Sequence, residues 1–189
     1  NMWTFMSGYT TTNHSPVYGT MGVPSINNQP GSRREIGNSW VDAAGKLWLY
    51  GGLYTSGTVV YNNLWSYDIS TNMWTWVWGS QTNNLAPVYG TQNAYSAATS
   101  PGGKFPYAMW TDGNDNMYMF GGGGNNVNAT SDFWEYNPLL NQWKWIVGGC
   151  SGLAGASCTT DPTYYPDPRY ENLAAWKDNQ GNFWMYGGY

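Results

Sequence analysis

The stretch that decides the fold reads Trp40-Val41-Asp42-Ala43-Ala44-Gly45-Lys46-Leu47-Trp48-Leu49-Tyr50-Gly51-Gly52. A tryptophan and, two residues on, an aspartate lead into a short turn. An apolar, aromatic run follows, and two glycines end it. The arrangement returns from Trp110 and Asp112 to Gly121 and Gly122, and again from Trp176 and Asp178 to Gly187 and Gly188. In each copy the Trp stands eleven residues before the first Gly and the Asp nine before it. The copies begin 70 and 66 residues apart, so short elements keep their register while the filler between them varies. That is the signature of a repeat architecture.

Each copy reads as a pair of strands. The Asp side chain suits a turn, where it accepts hydrogen bonds from nearby backbone amides, and Gly45 tolerates a positive φ. The return strands Leu47 to Tyr50, Met117 to Phe120 and Phe183 to Tyr186 are apolar throughout, which predicts burial on both faces. The glycine pair marks a place where another backbone passes close by. A third strand is expected at Leu64 to Asp68 and at Phe133 to Asn137. A fourth is expected at Trp74 to Trp76 and at Trp143 to Trp145. Tyr67 and Trp74 bracket six residues, as do Tyr136 and Trp143. Asn1 to Phe5 matches Asn72 to Trp76, so residues 1–8 are expected to be the last strand of a preceding unit. Residues 33–80 and 104–148 then form two four-stranded units, and 169–189 the first half of a further one.

Four antiparallel strands per unit, none able to bury its own faces, describe a propeller blade. The double glycine followed by Tyr, six residues and Trp resembles the kelch repeat. The spacers Tyr18-Gly19-Thr20 and Tyr89-Gly90-Thr91, with Pro30-Gly31-Ser32-Arg33 after the first, are similar to those of large secreted kelch proteins of the galactose-oxidase-like kind. The last spacer departs from this, because Cys150 to Tyr165 replaces the Tyr-Gly-Thr segment. The resemblance implies an all-β, kelch-type propeller segment of about 2.5–3 blades. Propellers usually close with four to eight, so the segment is expected to belong to a larger ring.

Composition agrees with an all-β chain. Aromatic residues make up 18% and charged residues only 10%, so the core must be built largely from flat rings, which favour pleated strands. The net charge is −4 and the seven basic residues are scattered, which argues against a nucleic-acid partner. No apolar run approaches the ~20 residues of a membrane span. Cys150 and Cys158 lie together in a Gly/Ala/Ser loop, either as a local disulfide or as two free thiols. Sequons begin at Asn13 and Asn128. With the cysteine pair they favour an extracellular or cell-surface setting.

In a four-stranded meander all long loops leave the same end. These are roughly residues 8–33, 53–62, 80–105, 123–131 and 149–169, rich in Tyr, Asn, Ser and Gly. Such loops on a rigid scaffold are where binding resides, so a protein or glycan partner is expected there, with self-assembly as a further option. The other reading is that the loops merely tile neighbouring units. Arg33 and Arg169 each stand 18 residues before a glycine pair, as binding-face candidates or as clamps on loop carbonyls. Asp112, Asn114 and Asp115 crowd oxygen atoms but lack an EF-hand pattern. The copper chemistry of galactose oxidase needs two His ligands, and His14 is the only histidine. The expectation is a non-catalytic module without cofactor or metal, structural, adhesive or binding, set in a larger surface or filamentous assembly. The alternative is a carbohydrate oxidase or glycan-binding protein whose key residues lie outside this segment.

Overall fold

The computed structural model describes residues 1–34, 39–54, 59–124, 129–149, 166–169, 171 and 173–188. Among these residues the chain is all-β and contains no helix. In chain order the strands are β1 (Ser39–Val41), β2 (Leu47–Tyr50), β3 (Leu53–Tyr54), β4 (Val59–Val60), β5 (Leu64–Asp68), β6 (Met73–Trp78), β7 (Tyr95–Ser96) and β8 (Lys104–Phe105). They continue with β9 (Ala108–Thr111), β10 (Met117–Phe120), β11 (Gly123–Gly124), β12 (Phe133–Asn137), β13 (Gln142–Val147), β14 (Leu173–Lys177) and β15 (Phe183–Gly187).

Three antiparallel sheets carry the repeat. Sheet I has the order β1-β2-β5-β6, and sheet II has β9-β10-β12-β13 with β7 added beyond β13. Sheet III is the pair β14-β15. Two ribbons, β3-β4 and β8-β11, continue past the glycine pairs. The described residues form a row of stacked sheets and not a closed ring.

The repeated Trp sets the register of each first hairpin. Trp40 stands opposite Trp48, Trp110 opposite Tyr118, and Trp176 opposite Trp184. The ring pairs stack across the strands, with centroids 6.1 Å apart in sheet I and 6.3 Å in sheet III. Cross-strand aromatic pairs of this kind stabilise a hairpin by about 0.2–1 kcal/mol each.

Sheets then stack because each leaves one apolar face uncovered. Trp40, Trp48, Tyr50 and Leu64 of sheet I pack against Met117, Met119, Trp134, Tyr136 and Trp143 of sheet II. Ala108, Trp110 and Phe120 on the reverse of sheet II meet Leu173, Ala175, Phe183 and Met185 of sheet III. Sheet II is thus covered on both sides, and β10 alone matches the expectation of a return strand buried on both faces. Leu47 of β2 and Trp184 and Tyr186 of β15 are exposed, because no sheet of the described chain lies over those faces.

The strand expected within residues 1–8 does not form. Met2 and Trp3 are 97% and 100% exposed, and among the described residues no strand lies beside them to accept their hydrogen bonds. A last strand needs a third strand as its partner, and repeat pattern alone does not supply one.

Candidate functional site

At the turn end, the repeated aspartate is a structural anchor. Asp42 Oδ1 accepts the Lys46 amide at 2.8 Å, and its Oδ2 accepts the Trp48 indole N–H at 2.8 Å. Asp178 repeats this with the Asn182 amide and the Trp184 indole, both at 2.8 Å. In the middle copy Tyr118 replaces the indole and donates its hydroxyl to Asp112 at 3.3 Å. Hydrogen bonds from the Trp184 indole and then from the Asn182 side-chain Nδ2 hold the Asp178 carboxyl down at about 2. Burial opposes ionisation of Asp112, yet bonds from Asn116, Asn114 and Tyr118 keep its carboxyl below the usual range. Asp115 accepts the Ala43 amide of sheet I at 2.9 Å, so this cluster of oxygens ties two sheets together.

At the glycine end, a cation sits in each copy at the same place. Arg33 donates to the carbonyls of Gly51 and Pro30, and to Asn63 Oδ1 at 2.7 Å. Trp65 donates its indole N–H to that same Asn63 oxygen at 2.8 Å. In the next copy Lys104 donates to the Gly121 carbonyl at 3.3 Å and to Thr130 Oγ1 at 2.9 Å, and it is ion-paired to Asp132. Trp134 donates to Asp132 Oδ2 at 2.7 Å. Arg169 donates to the Gly187 carbonyl at 3.3 Å. Arg33 also lies 4.3 Å over the Tyr61 ring. The second glycine of the first two pairs bonds to the next unit: Gly52 N–H to Lys104 O at 2.9 Å, and Gly122 N–H to Arg169 O at 2.7 Å. The three side chains thus brace carbonyls of their own unit and the loop before it, and the backbone carbonyls of Lys104 and Arg169 join successive units.

The sequence reading overlooked the buried Lys104–Asp132 pair. Its signal was present, since a polar residue stands two before the third-strand Trp in both copies: Asn63 before Trp65, and Asp132 before Trp134. A second feature was overlooked as well. Tyr18 stacks on Trp65 at 5.4 Å and meets Trp76 edge-on at 4.9 Å; Tyr89 does the same to Trp134 and Trp145 at 5.2 and 5.1 Å. After each of these tyrosines the loop runs along the outer edge of the fourth strand. Gly22 N–H bonds Trp76 O, and Asn93 N–H bonds Trp145 O, each at 2.8 Å. The Tyr-Gly-Thr half of these two loops is thus scaffold.

At the loop end lies a groove of about 710 Å³ between the segments before β1 and strand β3, lined by Thr11, Thr12, Asn13, Ser32, Arg33, Arg34, Leu53 and Tyr54. Arg34 is exposed there, and its guanidinium has no hydrogen-bond partner among the described residues. Asn13 has an exposed side chain and a φ of 62°, and its carbonyl accepts the Tyr54 hydroxyl at 2.8 Å. His14 is half-buried: it stacks on Tyr9 at 3.8 Å and hydrogen-bonds Thr11. Asn128, Cys150 and Cys158 lie outside the described residues. Among the described residues no three of His, Cys, Asp and Glu come together as a metal site would require.

Comparison with known proteins returned no match to a family model and none to a curated protein.

Proposed function

We propose that this chain is a kelch-type propeller module that acts outside the cell or at its surface as a non-catalytic binding and adhesive element. The supporting observation is the division of labour among its polar side chains. Repeated groups that could do chemistry, the turn aspartates and the glycine-end cations, are consumed by the scaffold, while Arg34 in the loop-end groove retains its donors. A groove lined by Tyr54, Asn13, Ser32, two threonines and two arginines suits a polar, hydroxyl-rich ligand. Aromatic rings supply rigid contact area there, and short polar side chains adaptable hydrogen bonds. The ligand class is a glycan, with an acidic or uronic group favoured by Arg34. Glycosylation at Asn13 and Asn128 and a Cys150–Cys158 disulfide belong to the same extracellular reading.

A glycan array probed with the 189-residue chain tests this directly. The expected result is selective binding that falls at least tenfold in Arg34→Ala, about 1.4 kcal/mol, with unchanged thermal unfolding. A blank array together with concentration-dependent self-association would replace the glycan reading with a purely structural one. Peptide mapping without reduction, and enzymatic deglycosylation of material secreted from eukaryotic cells, read out the disulfide and the sequons.

A further inference from the structure

Thr11, Thr12 and Asn13 form one wall of the Arg34 groove, and Ser32, Arg33 and Arg34 form another. His14 ties the two walls together. Its backbone N–H donates to Ser32 Oγ at 2.9 Å, and its carbonyl accepts the Ser32 N–H at 2.8 Å. A hydrogen bond joins its ring Nε2 to the Thr11 hydroxyl, and the ring stacks on Tyr9 with centroids 3.8 Å apart.

His14 is the only histidine of the chain. Histidine is the side chain whose ordinary titration falls between about pH 5 and 8. Around the ring stand Tyr9 and Thr11 from its own loop and Ser32 from the opposite wall, with Arg33 and Arg34 next to Ser32 and Tyr54 on the third side of the groove. Among the described residues no carboxylate is ion-paired to it. A neutral imidazole can accept the Thr11 hydroxyl proton on Nε2. The imidazolium cannot, because both of its nitrogens carry hydrogen. Its Nε2–H then donates to Thr11 Oγ1, which releases the Thr11 O–H as a donor at the groove wall. Protonation thus adds one positive charge and one hydroxyl donor to a site that already holds Arg34. Both changes favour an anionic group, and the Tyr9 ring face is suited to a stacked cation.

We propose that His14 is a pH-sensitive switch for this groove, holding an acidic glycan when the imidazole is protonated and releasing it when the imidazole is neutral. The proposal rests on the reading of the groove as a glycan site. Linkage makes it reciprocal: a ligand that prefers protonated His14 must raise the pH at which His14 titrates by the same factor.

The test titrates the 189-residue chain calorimetrically with trigalacturonate, an acidic hexose trimer, and with neutral galactotriose, at pH ~5.5 and ~7.5 on either side of the histidine range. The His14 Cε1–H resonance is followed across pH by NMR, without and with trigalacturonate. Expected are trigalacturonate binding roughly fivefold or more tighter at the lower pH, and a His14 midpoint raised by about 0.7, the logarithm of that factor. His14→Gln, whose amide can still hold Thr11, is expected to bind without the pH dependence. The midpoint is read in the unsubstituted chain, so it stands whether or not that variant folds. Equal binding of trigalacturonate at the two pH values overturns the proposal, as does an unmoved His14 midpoint or a pH dependence that persists in His14→Gln. Galactotriose binding with the same pH dependence also overturns it. Absence of binding at both pH values removes the glycan reading of the groove, and the proposal with it.

Discussion

Asp132 is 1% exposed and Lys104 2%, and their ion pair is sealed between units under the Trp134 indole. Removing one partner from such a pair leaves a buried charge without compensation, which costs about 3–5 kcal/mol. Lys104→Met is therefore expected to destabilise the fold by that amount in urea denaturation, and Lys104→Met with Asp132→Asn by distinctly less. Equal losses in the two variants would mean the pair is not desolvated. The turn aspartates act differently, since they are hydrogen-bonded near solvent. Asp178 has its folded pKa lowered to about 2, by Trp184 first and Asn182 next. A depressed carboxyl contributes stability above its unfolded value near ~3.9 and loses it as pH falls through the folded value. The Trp184 indole proton followed by NMR is expected to shift with a midpoint near 2; a midpoint near ~3.9 would show that the indole bond is absent.

At the scale of elements, the glycine pair separates two kinds of turn. Gly51 has a φ of +63°, and a Cβ added to it would lie 1.9 Å from the Lys104 carbonyl of the next unit. Gly45 has a φ of +79° and open space around the added atom. Gly45→Ala then carries only the left-handed backbone cost of about 1–2 kcal/mol. Gly51→Ala adds a backbone clash between units and is expected to cost about 3 kcal/mol or more. Thermal unfolding of the two variants side by side checks the difference. Strands whose side chains announce them were legible in the sequence: β2, β5, β10 and β12 occupy the residues expected from their aromatic runs. The ribbons β3-β4 and β8-β11 and the short β7 were not, because two-residue pairings carry no periodicity and are imposed by neighbouring backbone. Asn1 to Phe5 carry the strand-like pattern without being a strand in this structure, since such a pattern needs an edge to pair with.

For the whole molecule, the organising relation is one face of each sheet on the opposite face of the next. Repeat spacing made the existence of that stack legible, and it also made legible which end carries the long loops. How those loops divide was hidden: Tyr18 and Tyr89 bind back to their own sheets through ring contacts that sequence distance does not reveal. Their removal is a prediction at this scale. Tyr89→Ala uncovers Trp134 and Trp145 and is expected to cost about 2–4 kcal/mol and to detach the loop from the β13 edge, visible as faster exchange of the Asn93 amide. The groove with Arg34 was equally hidden, because its residues come from three separate stretches, 11–13, 32–34 and 53–54, and only folding brings Thr11 to Tyr54. The stack itself is tested most directly by aromatic NOE spectroscopy. Tyr50 and Trp143 lie 5.1 Å apart across the first junction, and Trp110 and Phe183 lie 5.3 Å apart across the second. Cross-peaks for both pairs are the expected result; rings that show contacts only within their own sheets would contradict the stacked arrangement.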